Sequence, residues 1–487
     1  MSFTARTAAK APPLLSVIAL CSGGLVAALT QTMVIPIQSE LPEYLSTSPS
    51  SSAWVITITL LAAAVSMVIT GRLADMFGKQ KILVISAGIL TVGSAICALS
   101  DTLAPMLVGR ALQGMAMGFI PVGISLLREI TPKHMQSTAV AAMSATLGVG
   151  GAIGLPLSAW IADVADWHAL FWVSTAVAVV VLLLMLLAVP HVTDAAGGRF
   201  DGGGAIGLAV GLTAFLVGIS KATTWGWGDA RTIGAIAGGL VVLVLWAVYE
   251  LRTPHSLVDL RATAKLPVLM TNVAAVAIGF GMMAQSIVVP QLLQLPSETG
   301  YGLGQSILHA GLWMAPAGLM MLVFAPVSSS LMTRYGAKTA LIVGAIVLAA
   351  GYALGTFLTD APWQLLIVSL VASSGVGIGY AAMPTLILDA TPPHEAGAAV
   401  GLNALSRSTG TTLAAAVMGT VLTSSTTTFG PAQVPSESAF TLCFVIGAGA
   451  ALLGALLAGF VPTSRRPDDE VLVHDSLGDP EPAHAAR

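Results

Sequence analysis

Long apolar runs alternate with short polar stretches along almost the whole chain. A helix that crosses a bilayer needs about 20 mostly apolar residues, and fourteen runs approach or exceed that length: 14–37, 53–70, 82–99, 103–127, 137–161, 169–189, 203–220, 232–249, 267–290, 306–332, 339–358, 362–388, 397–422 and 439–461. Such runs predict helices, because in lipid the backbone N–H and C=O groups must be paired within the segment itself. The class is therefore all-α and integral to a membrane. Between the second and third runs lies a dense charged island, Gly71-Arg72-Leu73-Ala74-Asp75-Met76-Phe77-Gly78-Lys79-Gln80-Lys81, with one acid and three bases. Its glycines allow a turn too tight for larger side chains.

The polar stretches also predict sides. With the N-terminus placed in the cytoplasm, sixteen of the twenty Lys and Arg residues fall on that side, Lys221 and Arg231 fall outside, and Arg110 and Arg407 fall within runs. That bias fits an even number of crossings with both termini cytoplasmic. Outer loops carry Glu40, Glu43, Asp101, Asp163, Asp166, Glu298, Asp360 and Glu437, and Trp54, Trp160, Trp167, Trp225, Trp227 and Trp363 stand at run ends as interface anchors.

An internal repeat orders the runs. Thr131-Pro132-Lys133-His134 recurs as Thr391-Pro392-Pro393-His394, Ala139-Val140 recurs as Ala399-Val400, and Glu129 corresponds to Asp389, all at an offset of 260. The island has a worn copy in Leu331-Met332-Thr333-Arg334-Tyr335-Gly336, which has lost the acid. Two six-helix halves follow, at 14–190 and 266–461, with a two-helix hairpin inserted at 191–265. Residues 1–13 read as a cytoplasmic N-terminus retained rather than cleaved, and 462–487, rich in Pro, Asp and Glu, as a disordered cytoplasmic tail. Paired parallel halves suit a transporter in which one half rocks against the other.

Composition adds mainly exclusions. Of 487 residues, 55% are hydrophobic and 9% charged, far from a soluble domain. The net charge of −3 points to no nucleic acid. Cys21, Cys97 and Cys443 lie far apart in apolar runs and read as small hydrophobic residues. There is no phosphate-binding Gly-x-x-x-x-Gly-Lys loop and no His/Cys cluster, so no ATP drive, enzyme activity, cofactor or metal is expected.

Four polar groups of positions carry candidate chemistry. In the island, Asp75 ends the second run, where it can accept hydrogen bonds from a neighbouring helix N-terminus or a base and form a breakable latch; a plain positive-inside turn is the simpler alternative. In Leu107-Val108-Gly109-Arg110-Ala111-Leu112-Gln113-Gly114, Arg110 lies in an apolar helix, where a charge costs at least about 3 kcal/mol unless paired, hydrated or snorkelling to the interface. The fifth run carries Gly148, Gly150, Gly151 and Gly154 before Leu155-Pro156, a spacing that brings helices close and bends one of them. Deep in the thirteenth run Arg407 has Asn403 one turn earlier, while no Asp or Glu lies inside any run.

The island, the fourth-run stretch and the repeat together resemble the major facilitator superfamily, specifically its fourteen-helix drug/proton antiporters, over nearly the whole chain. The superfamily's loop pattern G-x-L-a-D-x-x-G-x-k places Gly71, Asp75, Gly78 and Lys79 at its gating positions. The resemblance implies a major facilitator fold, a link between Arg110 and proton translocation with Gln113 as its polar neighbour, and an antiporter motif in the fifth span. There Gly150 and Gly154 fit, but Pro156 is displaced by one and Ser158 and Ala159 replace the last glycines. The family's first-span aspartate is Thr30 here.

These readings imply a multi-pass inner-membrane exporter of amphiphilic drugs or antibiotics, driven by proton antiport, acting as a monomer. Its partners are a small-molecule substrate, protons and the lipid bilayer. Thr30, Gln31, Asn272, Gln285 and Asn403 are the expected cavity polar groups, and Arg110, Gln113 and Arg407 the expected proton-coupling or cavity groups. Met282, Met283, Met314, Met320 and Met321 offer an adaptable apolar lining, and His309 a titratable group at an outer end. Two buried arginines without a buried acid equally suit an exporter of an anionic or neutral metabolite or lipid, and a non-transporting membrane sensor is the third alternative.

Overall fold

A computed structural model of the chain describes residues 13–462 apart from 36, 39, 192–196, 198, 255, 430 and 431. Segments 1–12 and 463–487, and with them the expected N-terminus and tail, lie outside the described residues. Fourteen long helices follow one another: α1 Pro13–Thr32, α2 Trp54–Phe77, α3 Lys79–Ala98, α4 Leu103–Ile130, α5 Lys133–Val164, α6 His168–Ala188, α7 Gly202–Trp225, α8 Ala230–Arg252, α9 Leu266–Gln294, α10 Ile307–Tyr335, α11 Ala337–Gly355, α12 Pro362–Ala390, α13 Ala396–Ser424 and α14 Glu437–Gly459. Thirteen of these are long and apolar enough to cross a membrane. The exception, α13, has 29 residues but spends many of them on Ser, Thr, Asn and Arg.

Two six-helix halves, α1–α6 and α9–α14, pack by the same rules. In the first, α1 pairs with α5, α2 with α4 and α3 with α6; in the second, α9 pairs with α13, α10 with α12 and α11 with α14. Between halves, α2 packs on α13 and α10 on α5, the two contacts that a twofold relation would exchange. The repeat is visible in the backbone too. Gly78 and Gly336, equivalent residues of the island and its copy, both turn at positive φ, 99° and 85°, ahead of α3 and α11. L side chains rarely adopt that conformation, so glycine is required at both places.

Pairing inside each half depends on backbones that nearly touch. A Cβ on Gly410 of α13 would stand 2.0 Å from the Val276 carbonyl oxygen of α9, and one on Gly279 of α9 would stand 2.3 Å from the Arg407 carbonyl oxygen. Neither obstacle is a flexible side-chain tip. Gly410→Ala is therefore expected to push the two helices apart at a cost of about 1–3 kcal/mol, read as a lowered melting temperature of the purified protein; an unchanged melt would contradict this packing.

The inserted hairpin, α7 and α8, lies over the seam where the halves meet. Leu208, Leu212 and Leu216 of α7 pack with Leu61, Ala64 and Val68 of α2 and with Leu405 of α13. Farther along, Lys221 stands 4.9 Å over the Trp54 ring of α2, and Trp227 donates to Thr420 Oγ1 of α13 at 2.6 Å. Helix α8 packs mainly on α7 and leaves Val241, Val244 and Leu245 exposed on its other side. Such a face belongs in lipid rather than in water.

Some boundaries differ from the hydropathy reading. Helix α2 continues through the island to Phe77 and α8 continues to Arg252, so Asp75 and Glu250 lie within helices, 2% and 3% exposed. Both acids lie beyond the apolar runs, in the last turn of their helices. An antiparallel ribbon, β1 Thr426–Phe429 and β2 Ala432–Pro435, joins α13 to α14. The three cysteines are free thiols, Cys97 and Cys443 buried and Cys21 half-buried.

Candidate functional site

Three polar clusters stand out in an otherwise apolar interior. The first occupies the end of the bundle that carries Arg72, Lys79, Arg128 and Lys133, called the basic end below. Helix α13 starts there at Ala396, and the first N–H groups of any helix lack intrahelical partners. Two of these amides are taken up by a residue of the other half: Gly397 N–H donates to Asp75 Oδ1 at 2.9 Å and Ala398 N–H to Oδ2 at 2.8 Å. The carboxylate thus closes the positive end of α13 from 322 residues away in sequence.

The approach needs glycine on both sides. A Cβ on Gly71 would lie 2.3 Å from the Gly397 carbonyl oxygen, and one on Gly401 would lie 2.2 Å from the Met67 carbonyl oxygen. Lys79, nearly buried, stands 3.7 Å from Asp75 Oδ1, bonds Glu129, and reaches the Pro393 carbonyl oxygen at 3.5 Å. Beside it Arg128 pairs with Asp389 of the other half at 2.6 Å. At the equivalent place in the second half the hydroxyls of Thr138 and Ser329 meet at 2.9 Å, and Thr333 stands where the first half has Asp75. The copy of the island thus lacks the carboxylate that makes this latch.

The second cluster surrounds Arg110, which is fully buried and does not reach the surface. Its Nε donates to the Val55 carbonyl oxygen of α2 at 3.2 Å, and its Nη1 donates to the Thr30 carbonyl oxygen of α1 at 3.0 Å and to Gln113 Oε1 at 2.7 Å. Gln113 in turn donates to Ser94 Oγ of α3 at 2.9 Å. Thr30 lies in the last turn of α1, where carbonyls lack intrahelical partners and the helix dipole is negative. The guanidinium thus caps α1 and ties it to α2 and α4, and Gln113 extends the network to α3. The Thr30 hydroxyl bonds back to the Ala27 carbonyl oxygen at 2.9 Å.

The third cluster lies in the second half. Arg407 of α13 places its guanidinium 4.1 Å from the ring centroid of Tyr380, at the break in α12, a cation–π distance. Its Nη1 points to Asn403 Oδ1 at 3.5 Å, and Asn403 Nδ2 donates to Asn272 Oδ1 of α9 at 3.0 Å. Asn272 Nδ2 is buried without a partner among the described residues, as is Gln285 Oε1, whose amide nitrogen donates to Ser373 Oγ at 2.8 Å. Unpaired buried polar atoms are costly unless something else bonds them.

Of the positions singled out in the sequence, the structure joins Arg110 with Gln113 and the Thr30 backbone, and Arg407 with Asn403 and Asn272. Among the described residues no hydrogen bond connects the two groups, and Gln31, half-buried, belongs to neither. Gly150 and Gly154 face α1, with added Cβ atoms 2.5 Å from Ala28 Cβ and 2.1 Å from Thr32 Oγ1, while Gly148 faces Met321 of α10. Pro156 lies within α5. Tyr380, Ser94, Arg128 and Asp389 complete these networks without a sequence signal of their own; only the pairing of Glu129 with Asp389 in the repeat hinted at the last. No group of three or more His, Cys, Asp or Glu among the described residues could hold a metal ion.

Comparison with known proteins agrees with this architecture. A sequence model described as Major Facilitator Superfamily matches residues 20–321 and 271–477. An uncharacterized MFS-type transporter of Mycobacterium tuberculosis is 30% identical over 396 residues, 79% of this chain but 56% of that protein, so the match spans little more than half of the relative. The tetracenomycin C resistance and export protein of Streptomyces glaucescens is 27% identical over 432 residues, 87% of this chain and 78% of that one. A multidrug resistance protein B homolog of Mycobacterium tuberculosis is 29% identical over 383 residues, covering 76% and 69%. Among solved structures, the proton:xylose symporter XylE superposes with a TM-score of 0.63 at 15% identity over 92% of this chain and 96% of that one, a likeness of fold.

Proposed function

The chain belongs to the major facilitator superfamily, and on that premise we propose that it is a secondary transporter that exports amphiphilic drugs or antibiotics across a bacterial inner membrane in exchange for protons. The observation that carries the reading is the latch made by Asp75. Asp75 holds the N-terminus of α13 by accepting hydrogen bonds from two backbone amides, and these must break if the halves are to part at the basic end. A joint of glycine backbones and a capping carboxylate can open and reclose without unfolding either half. Relatives named for antibiotic export and multidrug resistance support the substrate class.

In this reading the basic end is cytoplasmic, both termini lie on that side, and the described state is closed toward the cytoplasm. One proton moving inward across the membrane potential supplies about 2.3 kcal/mol per 100 mV. Expressed in a pump-deficient bacterium, the protein should lower the accumulation of lipophilic antibiotics, and an uncoupler should abolish the difference. Efflux that survives the uncoupler would overturn proton coupling.

The Arg407 cluster favours a second reading, export of an anionic or neutral solute, because a fixed positive charge and the unpaired Asn272 Nδ2 offer donors and no buried acid stands beside them. Arg407→Ala separates the two. A loss of about tenfold or more confined to anions supports the second reading, by removal of a charge-assisted bond of about 1.5–3 kcal/mol; an equal loss for cations and neutral compounds assigns Arg407 to gating.

A further inference from the structure

The inserted hairpin contains a buried acid that the latch and the two arginine clusters leave unused. Glu250, near the end of α8, is 3% exposed, and its Oε1 has no hydrogen-bond partner among the described residues. Asp201 caps the start of α7, with Oδ1 accepting from Gly204 N–H at 2.9 Å and from the Tyr249 hydroxyl at 3.1 Å, while its buried Oδ2 is likewise without a partner. The two unpaired oxygens face the same spot. A Cβ built on Gly204 would stand 2.3 Å from Glu250 Oε1 and 2.4 Å from Asp201 Oδ2. They are therefore less than about 5 Å apart, with only the missing side chain of a glycine between them.

Two ionised carboxylates this close and this sheltered repel each other, and among the described residues neither has a salt-bridge partner. On α8, the buried indole N–H of Trp246, one turn before Glu250, faces its carboxylate and favours the charged form, Tyr249 lies one residue before it, and Arg252 is exposed. From the connector to α9, Val258 N–H donates to Glu250 Oε2 at 3.4 Å. There Asp259 turns its carboxylate onto the Arg261 and Ala262 amides, and the Arg261 guanidinium goes to the Leu251 carbonyl oxygen at 3.4 Å. From α2, Arg72 lines a cleft with Leu257 and Val258 and makes no described salt bridge to either acid. Asp201 is the better-stabilised anion of the two, because it lies at the positive end of α7 and already accepts two hydrogen bonds.

We propose that Glu250 and Asp201 form a proton-binding site, in which a protonated Glu250 Oε1 donates to Asp201 Oδ2 across Gly204. The proton comes from the solvent at the basic end, where the pair lies, and returns there on release; no other group is consumed. Occupied, the site clasps α7 to α8 and leaves Glu250 Oε2 free to hold the Val258 amide. That connector, with Arg72, Thr391, Glu395 and Ala398, lines a cleft of about 150 Å³, and Ala398 is one of the two residues held by Asp75. Loss of the proton puts two negative charges face to face and loosens the hairpin beside the latch. The site does not depend on what the protein carries.

Infrared difference spectroscopy of the full chain in lipid nanodiscs tests this without any transport substrate. At neutral pH the wild type should show the C=O stretch of a protonated carboxyl, which fades on alkalinisation and is absent in Glu250→Gln. Asp201→Asn, which keeps the helix cap but offers Glu250 an N–H donor, should shift the fading to lower pH by about one unit or more. A band untouched by Glu250→Gln, or one whose titration Asp201→Asn does not move, overturns the proposal. Should Glu250→Gln fail to fold, the Asp201→Asn titration decides alone. Replacing sodium by N-methylglucamine should leave the band unchanged; a band that appears only without sodium assigns the pair to a metal cation and overturns the proton assignment.

Discussion

Asp75→Asn is expected to open the basic end of the protein and to reduce transport by about tenfold or more. An asparagine keeps the shape of the side chain but loses the charge, and its NH2 group would face one of the two amides it must serve. Each bond from an N–H to a carboxylate contributes about 1.5–3 kcal/mol, and the dipole of α13 adds to the preference for an anion. A loss of about 3 kcal/mol changes the ratio of closed to open molecules about a hundredfold. Spin labels at His134 and His394, exposed and equivalent in the two halves, read this directly. Their separation should shift to longer distances in the variant. Unaltered distances in Asp75→Asn would remove the latch from the gating role proposed for it.

Arg110→Ala should be the most damaging single change to folding. It removes the donor shared by the Thr30 and Val55 carbonyls and by Gln113, leaves a void the size of a guanidinium, and uncaps α1. Breaking a buried charged network of this kind costs about 3–5 kcal/mol. The detergent-purified variant should melt about 3–5 °C below the wild type. Arg110→Lys preserves the charge but replaces a planar fork with a single ammonium that cannot span three acceptors on different helices. It should recover part of the stability. Full recovery would mean that charge alone matters there and that the fork geometry does not.

Much of the architecture could be read from hydropathy because a bilayer leaves the backbone no alternative to helix. Helix α13 shows where that reading alone is thin. Its polar residues leave it less apolar than the other thirteen, yet its run at 397–422 was still readable, and the 260-residue repeat equates it with α5. The ends of α2 and α8 were not legible for a related reason. A charge ends an apolar run in any sequence window, yet in the fold Asp75 is satisfied by amides over three hundred residues away and Glu250 is enclosed by α7 and the connector. The ribbon between α13 and α14 had a local signal, β-branched residues on either side of Gly430-Pro431, that the search for long apolar runs passed over.

The candidate clusters were legible to about half. The unusual members, Arg110 and Arg407, announce themselves because a charge in an apolar run is expensive. Their partners do not. Tyr380 looks like any aromatic beside a glycine-rich stretch, Ser94 like any small polar residue, and the backbone carbonyls of Thr30 and Val55 carry no side-chain mark at all. Conversely, Thr30 attracts attention as the place of a missing acid, and its contribution is the carbonyl it presents to Arg110 rather than its hydroxyl.

Helix α7 has one more effect, on the joint between the halves. The two halves meet along two seams, α2 with α13 and α5 with α10. The first is roofed by α7, whose leucines fill the groove from Leu61 to Val68. Along the second, no helix is described as lying across the joint, and Leu319, Leu322 and Val323 of α10 face outward. Among the described residues one seam between the halves is thus covered by a third helix and the other is not, and a bulky side chain placed at Leu322 would alter the face beside the uncovered one.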